Sequence, residues 1–285
     1  MGAIITLTTD FGLTDAYIAA MKGVILGINP EAQLVDICHM IQPQNISQAA
    51  FVLSTAYRFF PAGTTHVVVV DPGVGSERRA VILKTPEAHF VAPDNGALSY
   101  IINDYSARQE KTEGSQPMKK LEPELAAVAI TRPTFWRTPV SPTFHGRDIF
   151  APVAARLSLG FPALDFGEPI TSLTMLPLPS PYHEADGSLV GYVMHIDSFG
   201  NLLTNIRRDD LPSPKEDITA IVGGRLIHGL SRTYAAGSGL LALIGSSDYL
   251  EIAYKGGSAR DFLQAKIGDE VRIRPRGENN ELPRL

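Results

Sequence analysis

Val67-Val68-Val69-Val70 runs straight into Asp71-Pro72-Gly73, and the N-terminal half of the chain repeats that passage from an apolar strand to a polar turn. Ala3 to Thr8 is a short run rich in β-branched residues that ends in Thr9-Asp10-Phe11-Gly12. From Ala16 to Ile28 the residues Tyr17, Met21, Val24 and Ile28 recur at helical spacing, and Asn29-Pro30 stops the pattern. Leu34 to Ile37 reads as a second strand, Ile46 to Phe59 as a second helix and His66 to Val70 as a third strand. A strand pair, Ala80 to Lys84 and His89 to Ala92, then leads through Pro93-Asp94-Asn95-Gly96 to a helix from Leu98. Strands alternating with helices predict an α/β domain with a mainly parallel sheet covered by helices on both faces. In such sheets ligands sit at the carboxyl ends of strands, which is where Asp10, Asp71 and Asp94 fall.

The second half has a different texture. Ala107 to Gln116 is polar and reads as a surface segment, and three prolines between Thr131 and Pro142 precede Thr143-Phe144-His145-Gly146-Arg147-Asp148 and a helix-like stretch, Ile149 to Leu159. Leu176-Pro177-Leu178-Pro179-Ser180-Pro181 cannot be regular helix. Beyond it come short β-type runs separated by turns: Gly187 to Ile196, Leu203 to Ile206, Ile218 to Val222, Leu240 to Ile244, Leu250 to Ala253 and Glu270 to Ile273. They suit a small β-barrel or sandwich. The expected organisation is an N-terminal α/β domain over residues 1–170, a proline-rich linker over 171–185, a smaller C-terminal β domain over 186–275 and a polar tail over 276–285.

Composition narrows the function classes. Of 285 residues, 25 are Lys or Arg and 30 are Asp or Glu, for a net charge of −5, and 44% are hydrophobic. No basic cluster exceeds a doublet such as Lys119-Lys120, which argues against nucleic acid as a partner. A single cysteine, Cys38, excludes an intrachain disulfide and any thiolate cluster, and a cytoplasmic setting is expected. The start, MGAIITLTTDFG, has no basic region before a long apolar core, and no run of 18 apolar residues occurs, so neither export nor membrane insertion is expected. The 25 glycines and 21 prolines make up about one residue in six, against roughly one in eight on average, and read as tight turns.

Several turns are candidates for chemistry. The Asp71 turn, followed by Gly73, Gly75, Arg78 and Arg79, can aim a carboxylate and backbone N–H groups at one ligand; equally, Asp71 can cap a turn beside solvated arginines. It is neither a GxxxxGK[ST] phosphate loop nor GxGxxG. In Phe144-His145-Gly146-Arg147-Asp148 a histidine beside a glycine leaves room for a ligand and titrates near neutrality, though a loop histidine satisfied by backbone has the same sequence. No HExxH or Cys/His spacing supports a metal site, and none is expected. Asp197-Ser198-Phe199-Gly200-Asn201 and Gly245-Ser246-Ser247-Asp248-Tyr249 offer carboxylate, amide and hydroxyl groups beside aromatic rings, as an amino-acid or nucleoside ligand would need and as hairpin turns also do.

Taken in order, TTDFG, DICH and QP at Asp36 to Pro43, DPGVGSERR from Asp71, APDNG from Ala92, FHGRD from Phe144, IDSFGNLLTNI from Ile196 and SSDYLEIA from Ser246 resemble the S-adenosyl-L-methionine (SAM) hydroxide adenosyltransferase family. Its members are SAM hydrolases that form adenosine, and they are related to SAM-dependent fluorinating and chlorinating enzymes. The resemblance implies an α/β N-terminal domain, a C-terminal β-barrel and a homotrimer with active sites between subunits. It also implies SAM as substrate rather than cofactor, no cofactor and no metal. By the same resemblance Asp71, Arg78 and His145 activate water, with Arg79 the alternative to Arg78. Asp10 holds the ribose hydroxyls, Asp197 and Asn201 the methionine amino group, and Ser246 lies near its carboxylate. Phe199 and Tyr254 flank the adenine, and Phe144 and Gly146 complete the substrate contacts. The fluorinating relative carries a tyrosine in place of Asp71 and a halide-binding serine in place of Gly146; the chlorinating one also has glycine there. A carboxylate at position 71 repels a halide and welcomes water. The alternatives left open are a halogenase, a hydrolase of another adenosine derivative and a non-catalytic SAM or adenosine binder.

Overall fold

A computed structural model describes residues 2–106, 118–213 and 218–275. The polar segment expected at Ala107 to Gln116 and the tail at 276–285 lie outside the described residues. The chain divides into two compact units, Met1–Pro177 and Leu178–Leu285. The division falls inside the expected linker, but Ser172–Thr174 is a strand of the first unit, because its backbone pairs with Met118–Lys120.

In the first unit the elements follow as β1 (Ile4–Thr9), α1 (Tyr17–Ile28), β2 (Gln33–Cys38), α2 (Ile46–Ala56), β3 (Thr64–Val69), β4 (Ala80–Lys84), β5 (Ala88–Pro93), α3 (Ser99–Asp104), β6 (Met118–Lys120), β7 (Ala126–Ile130), α4 (Ala151–Ser158), β8 (Gly167–Ile170) and β9 (Ser172–Thr174). The main sheet has the order β2-β1-β3-β5-β4-β7-β8. Its first four strands are parallel, and the pairings of β4 with β5, β4 with β7 and β7 with β8 are antiparallel, so the α/β sheet is mixed. β6 and β9 form a separate two-stranded ribbon.

The valine run explains the layering. Val67 and Val69 join Ile5, Leu7 and the buried side of α1 and α4 in one core. Val68 and Val70 join Phe90, Leu53 and Ile101 in a second core under α2 and α3. Side chains alternate across a strand, so a run apolar at every position requires cover on both faces. From β1 the chain crosses to β2 on one side, then returns past β1 to β3 on the other. The crossing helices α1 and α2 therefore lie on opposite faces and leave a crevice at the carboxyl ends of β1 and β3.

The second core encloses His66. Its Nδ1 is hydrogen-bonded to Thr6 Oγ1 at 2.8 Å, and its ring stacks on Phe90 with centroids 5.0 Å apart. Burial lowers its pKa to about 4, against 6.5 for a free imidazole. Between those values the unfolded chain binds a proton that the folded chain refuses, so stability is complete above pH 6.5 and declines as pH falls toward 4. The loss from this one group should be about 3 kcal/mol. Urea titrations at neutral and acidic pH should show it, and His66→Leu should remove that share of the pH dependence.

The second unit comprises β10 (Tyr182–His183), β11 (Leu189–Ile196), β12 (Leu202–Arg207), β13 (Ile218–Val222), β14 (Arg225–His228), β15 (Leu240–Ile244), β16 (Tyr249–Tyr254), α5 (Ala259–Leu263) and β17 (Glu270–Pro275). All its strand pairs are antiparallel, in the order β14-β13-β17-β11-β12-β16-β15, a nearly closed barrel. The long β11 makes the curve: residues 189–192 pair with β17 and residues 193–196 with β12. Val193, Leu202, Ala220, Ile252 and Ile273 fill the interior. Among the described residues no helix is long and apolar enough to cross a membrane.

Candidate active site

β1 and β3 run in parallel with Thr9 opposite Val69, so the residues that follow them, Asp10 and Asp71, emerge side by side at the crevice. Both line a cavity of about 370 Å³ with Phe11, Tyr17, Phe144 and His145, and with Gly146. The Asp71 side chain is 5% exposed. Its Oδ1 and Oδ2 accept from Arg78 Nε at 3.0 and 2.9 Å, and Oδ2 also accepts from Arg78 Nη2. The same Nη2 lies 2.8 Å from His145 Nδ1. A guanidinium only donates, so Nδ1 is the acceptor and the imidazole proton is assigned to Nε2. Burial, reinforced by the positive charge of Arg78, holds His145 below the usual histidine range despite the Asp71 and Asp148 carboxylates. The ring is therefore neutral at pH 7. Arg78 also lies over Phe150, its Cζ 5.3 Å from the ring centroid.

The local sequence forces this meeting. Gly75 has φ +79°, and a Cβ there would lie 2.5 Å from the Pro142 carbonyl oxygen. Glycine alone fits a positive φ with so close a backbone approach, and that approach seats the Asp71–Arg79 loop against the strand of chain leading to His145. His145 is followed by a π-helical turn, Gly146–Phe150, which runs into α4. Pro152, in the first turn of α4, has no N–H to give, and the Asp148 carbonyl instead accepts from Arg137 N at 2.8 Å. The Asp148 side chain is fully buried and accepts from Arg147 Nε at 2.7 Å and Ser141 N at 2.8 Å. Burial pushes its carboxyl up, but the Arg147 pairing and the Ser141 amide outweigh that and hold it below the ordinary value. Arg147 also lies over Phe144, 5.0 Å from the ring centroid, and Phe144 makes edge contacts with Phe11 and Tyr17 at 5.8 and 5.3 Å. One wall of the cavity is thus aromatic and anchored, through the part-exposed Arg147, to the buried Asp148 carboxylate. At Gly146 a Cβ would come within 3.2 Å of Met21 Sδ and 3.3 Å of Phe144 Cε2, so the floor has little room for a side chain.

The two arginines separate. Arg79 turns to Asp94, donating from Nε at 2.8 Å, and to the Ser172 carbonyl at 3.0 Å, while Asp94 Oδ1 accepts from Thr174 N at 2.7 Å. Asp94, the third strand-end acid, joins β5 to β9 and does not line the cavity. Asp10 is there, with Oδ2 accepting from Gln44 N at 2.8 Å. Sequence reasoning missed Phe11, Tyr17 and Gln44 as cavity residues; the signal for Tyr17 was its place at the start of the helix after a strand-end turn.

In the second unit Asp197, Phe199 and Asn201 share the β11–β12 turn. Asp197 Oδ1 accepts from the amides of Phe199 and Asn201, both at 2.9 Å, and Oδ2 from Asn201 Nδ2 at 2.9 Å. Asn201 is buried, whereas Phe199 is 77% exposed. Ser246 is exposed in the β15–β16 turn. Behind it Glu251 is buried and accepts from the Tyr234 hydroxyl at 2.6 Å; burial, with the Asp197 charge adding to it, raises its carboxyl above the ordinary value. Tyr254 stacks on Phe262, centroids 4.5 Å apart, and lines a second cavity of about 450 Å³ with Arg225 rather than joining the Asp197 turn.

Residues 5–167 match the SAM hydroxide adenosyltransferase N-terminal domain and residues 191–272 the corresponding C-terminal domain. The chain is 35% identical to the (R)-S-adenosyl-L-methionine hydrolase of Salinispora arenicola, over 94% of this chain and 97% of that protein. It is 36% identical to the protein of the same name from Thermus thermophilus, over 93% and 97%. A fluorinase of Nocardia brasiliensis is 30% identical over 73% and 72%. A crystal structure of a conserved protein from Thermotoga maritima superposes with a TM-score of 0.83 at 35% identity, covering 94% of this chain and 99% of that one.

Proposed function

We propose that the chain, which belongs to the SAM hydroxide adenosyltransferase family, hydrolyses SAM to adenosine and L-methionine. The observation that carries this reading is the Asp71–Arg78–His145 cluster at the mouth of the β1–β3 crevice, a set of neutral, cationic and anionic groups able to hold one water in a fixed orientation. In the reaction, water attacks ribose C5′ in line with the C5′–S bond. The bonding pair leaves with sulfur as the neutral thioether of methionine, the new C5′–O bond completes adenosine, and one proton is released. Sulfonium is an activated leaving group, so the step needs neither an acid nor a metal. Hydroxide character on the water and positive charge on sulfur cancel as the transition state forms, and a half-buried cavity favours that loss of charge.

Each residue has a role in this proposal. Both Asp71 oxygens accept from Arg78, which leaves Asp71 to orient water through its remaining lone pairs, and Arg78 and the His145 Nε2–H to stabilise developing hydroxide. Asp10 holds the ribose hydroxyls, and Phe144 and Gly146 border the substrate. Asp197 and Asn201 hold the methionine amino group, Ser246 its carboxylate, and Phe199 and Tyr254 the adenine.

The first set of contacts lies on Met1–Pro177 and the second on Leu178–Leu285. The proposal is a homotrimer in which the N-terminal unit of one subunit and the C-terminal unit of the next complete each site. Exposure of Leu13 (70%), Tyr17 (50%) and Phe199 (77%) supports a covered surface there. The chain is read as a cytoplasmic protein that needs no cofactor. Incubation with SAM in buffer containing chloride and fluoride, followed by chromatography, tests the reading. Adenosine and methionine are expected; adenine would indicate a nucleosidase, 5′-halo-adenosine a halogenase and unchanged SAM a binder.

A further inference from the structure

Asp36-Ile37-Cys38-His39 takes no part in the chemistry above, and none of its side chains lines the cavity. Yet His39 is only 4% exposed and fastens the turn that carries Asp10. Its carbonyl oxygen accepts from Gly12 N at 2.8 Å, and its Nδ1 lies 2.9 Å from Thr9 Oγ1, which itself accepts from Phe11 N at 3.3 Å. Two residues flanking Asp10 and one beyond are therefore tied, directly or through Thr9, to a single histidine. On its far side His39 Nε2 is 3.0 Å from Asp36 Oδ1, and Asp36 Oδ2 accepts from Lys22 Nζ at 2.6 Å. Burial pushes the Asp36 carboxyl up, but Lys22 and His39 outweigh it and hold it below the ordinary value, so a carboxylate faces the ring.

Thr9 Oγ1 thus accepts from Phe11 N and shares a hydrogen bond with His39 Nδ1, while the opposite edge of the ring faces the Asp36 carboxylate. The register between β1 and β2 shifts between Leu7 and Thr8: Leu7 faces Asp36, but Thr8 faces Cys38, so Ile37 is an extra residue. A bulge of this kind re-aims the side chains that follow it, here bringing His39 beside Thr9.

We propose that His39 is a positioning residue that holds the Thr9–Gly12 turn so that the Asp10 carboxylate meets both ribose hydroxyls, and that it thereby sets the preference for a ribose over a 2′-deoxyribose substrate. The inference rests on the reading of Asp10 as the ribose contact. Asp10 is held on its other side by Gln44 N, so loss of the His39 ties tilts the carboxylate rather than removing it.

Steady-state kinetics of the full chain with SAM and with its 2′-deoxy analogue test this. His39→Ala should raise KM for SAM roughly tenfold with kcat little changed, and leave KM for the 2′-deoxy analogue within about twofold, so that ribose preference falls. His39→Asn, whose amide takes the place of Nδ1 and can still meet Thr9, should restore most of that preference. His39→Gln, which reaches toward Asp36 instead, should not. Should His39→Ala fold poorly, the Asn and Gln pair carries the comparison. Unchanged preference in folded His39→Ala or His39→Gln overturns the proposal, and so does an equal loss with both substrates, which marks a merely structural role. Asp10→Ala is the control: if it keeps the ribose preference, the reading of Asp10 itself fails; if it loses the preference while the His39 variants keep it, only the positioning role fails.

Discussion

Arg78→Ala should lower kcat for SAM hydrolysis by roughly 10²–10⁴ with KM for SAM little changed, whereas Arg79→Ala should turn over at nearly the native rate. The two residues are adjacent, yet their partners differ. Arg78 binds both oxygens of Asp71 and reaches His145, so its removal leaves the Asp71 side chain, 5% exposed, without its cation and takes away the group proposed to stabilise hydroxide. Arg79 holds Asp94 at the edge of the β6–β9 ribbon, away from the cavity. Its loss leaves Asp94 with the Thr174 amide, and the effect should be on stability, roughly 1–3 kcal/mol, read as a lower urea midpoint. Equal loss of turnover in the two variants would contradict the assignment of Arg78.

His145→Ala should cost a similar factor in kcat, and the native enzyme should carry the signature of this histidine in its pH profile. Nδ1 accepts from Arg78 only while it is unprotonated. Burial and the Arg78 charge hold the group below the ordinary histidine value, so its protonation midpoint lies under 6.5. The sign follows: kcat/KM should be highest near neutral pH and fall on the acid side, with its midpoint below 6.5, as the imidazole charges and the Arg78 contact is lost. In His145→Gln, assayed at its low residual rate, the acid limb should vanish. An unchanged acid limb in that variant would assign the limb to another group.

Much of this site is legible in the chain because its parts sit where apolar runs stop. Asp10 and Asp71 follow β-branched strands that pair side by side, and strand ends are where an α/β sheet exposes its backbone. Asp94 shows the limit of that logic. It too ends a strand, but β5 leads into the antiparallel half of the sheet, where Arg79 and Thr174 occupy its oxygens. The antiparallel half is itself hard to read, since Ala126–Ile130 is mostly alanine, which carries little strand preference, and β6, β8 and β9 have three or four residues each. The separation of Arg78 from Arg79 is not a matter of spacing at all. It depends on Gly75 lying against Pro142, a contact between segments 67 residues apart, and on which side of the loop each guanidinium then faces. In the second unit the Asp197 turn announces itself through Asp, Gly and Asn, the residues of a tight turn, while Glu251 lies inside an ordinary strand pattern and its burial beside Tyr234 has no local signal.

In the hydrolysis proposed above, an oxygen from water, and no other nucleophile, ends up on ribose C5′. Turnover of SAM in water enriched in oxygen-18, with mass spectrometry of the nucleoside, measures that directly. The expected product is adenosine carrying one heavy oxygen in its 5′-hydroxyl, in proportion to the enrichment, together with unlabelled methionine. Adenosine without the label, or a nucleoside product bearing halide at C5′, would contradict it.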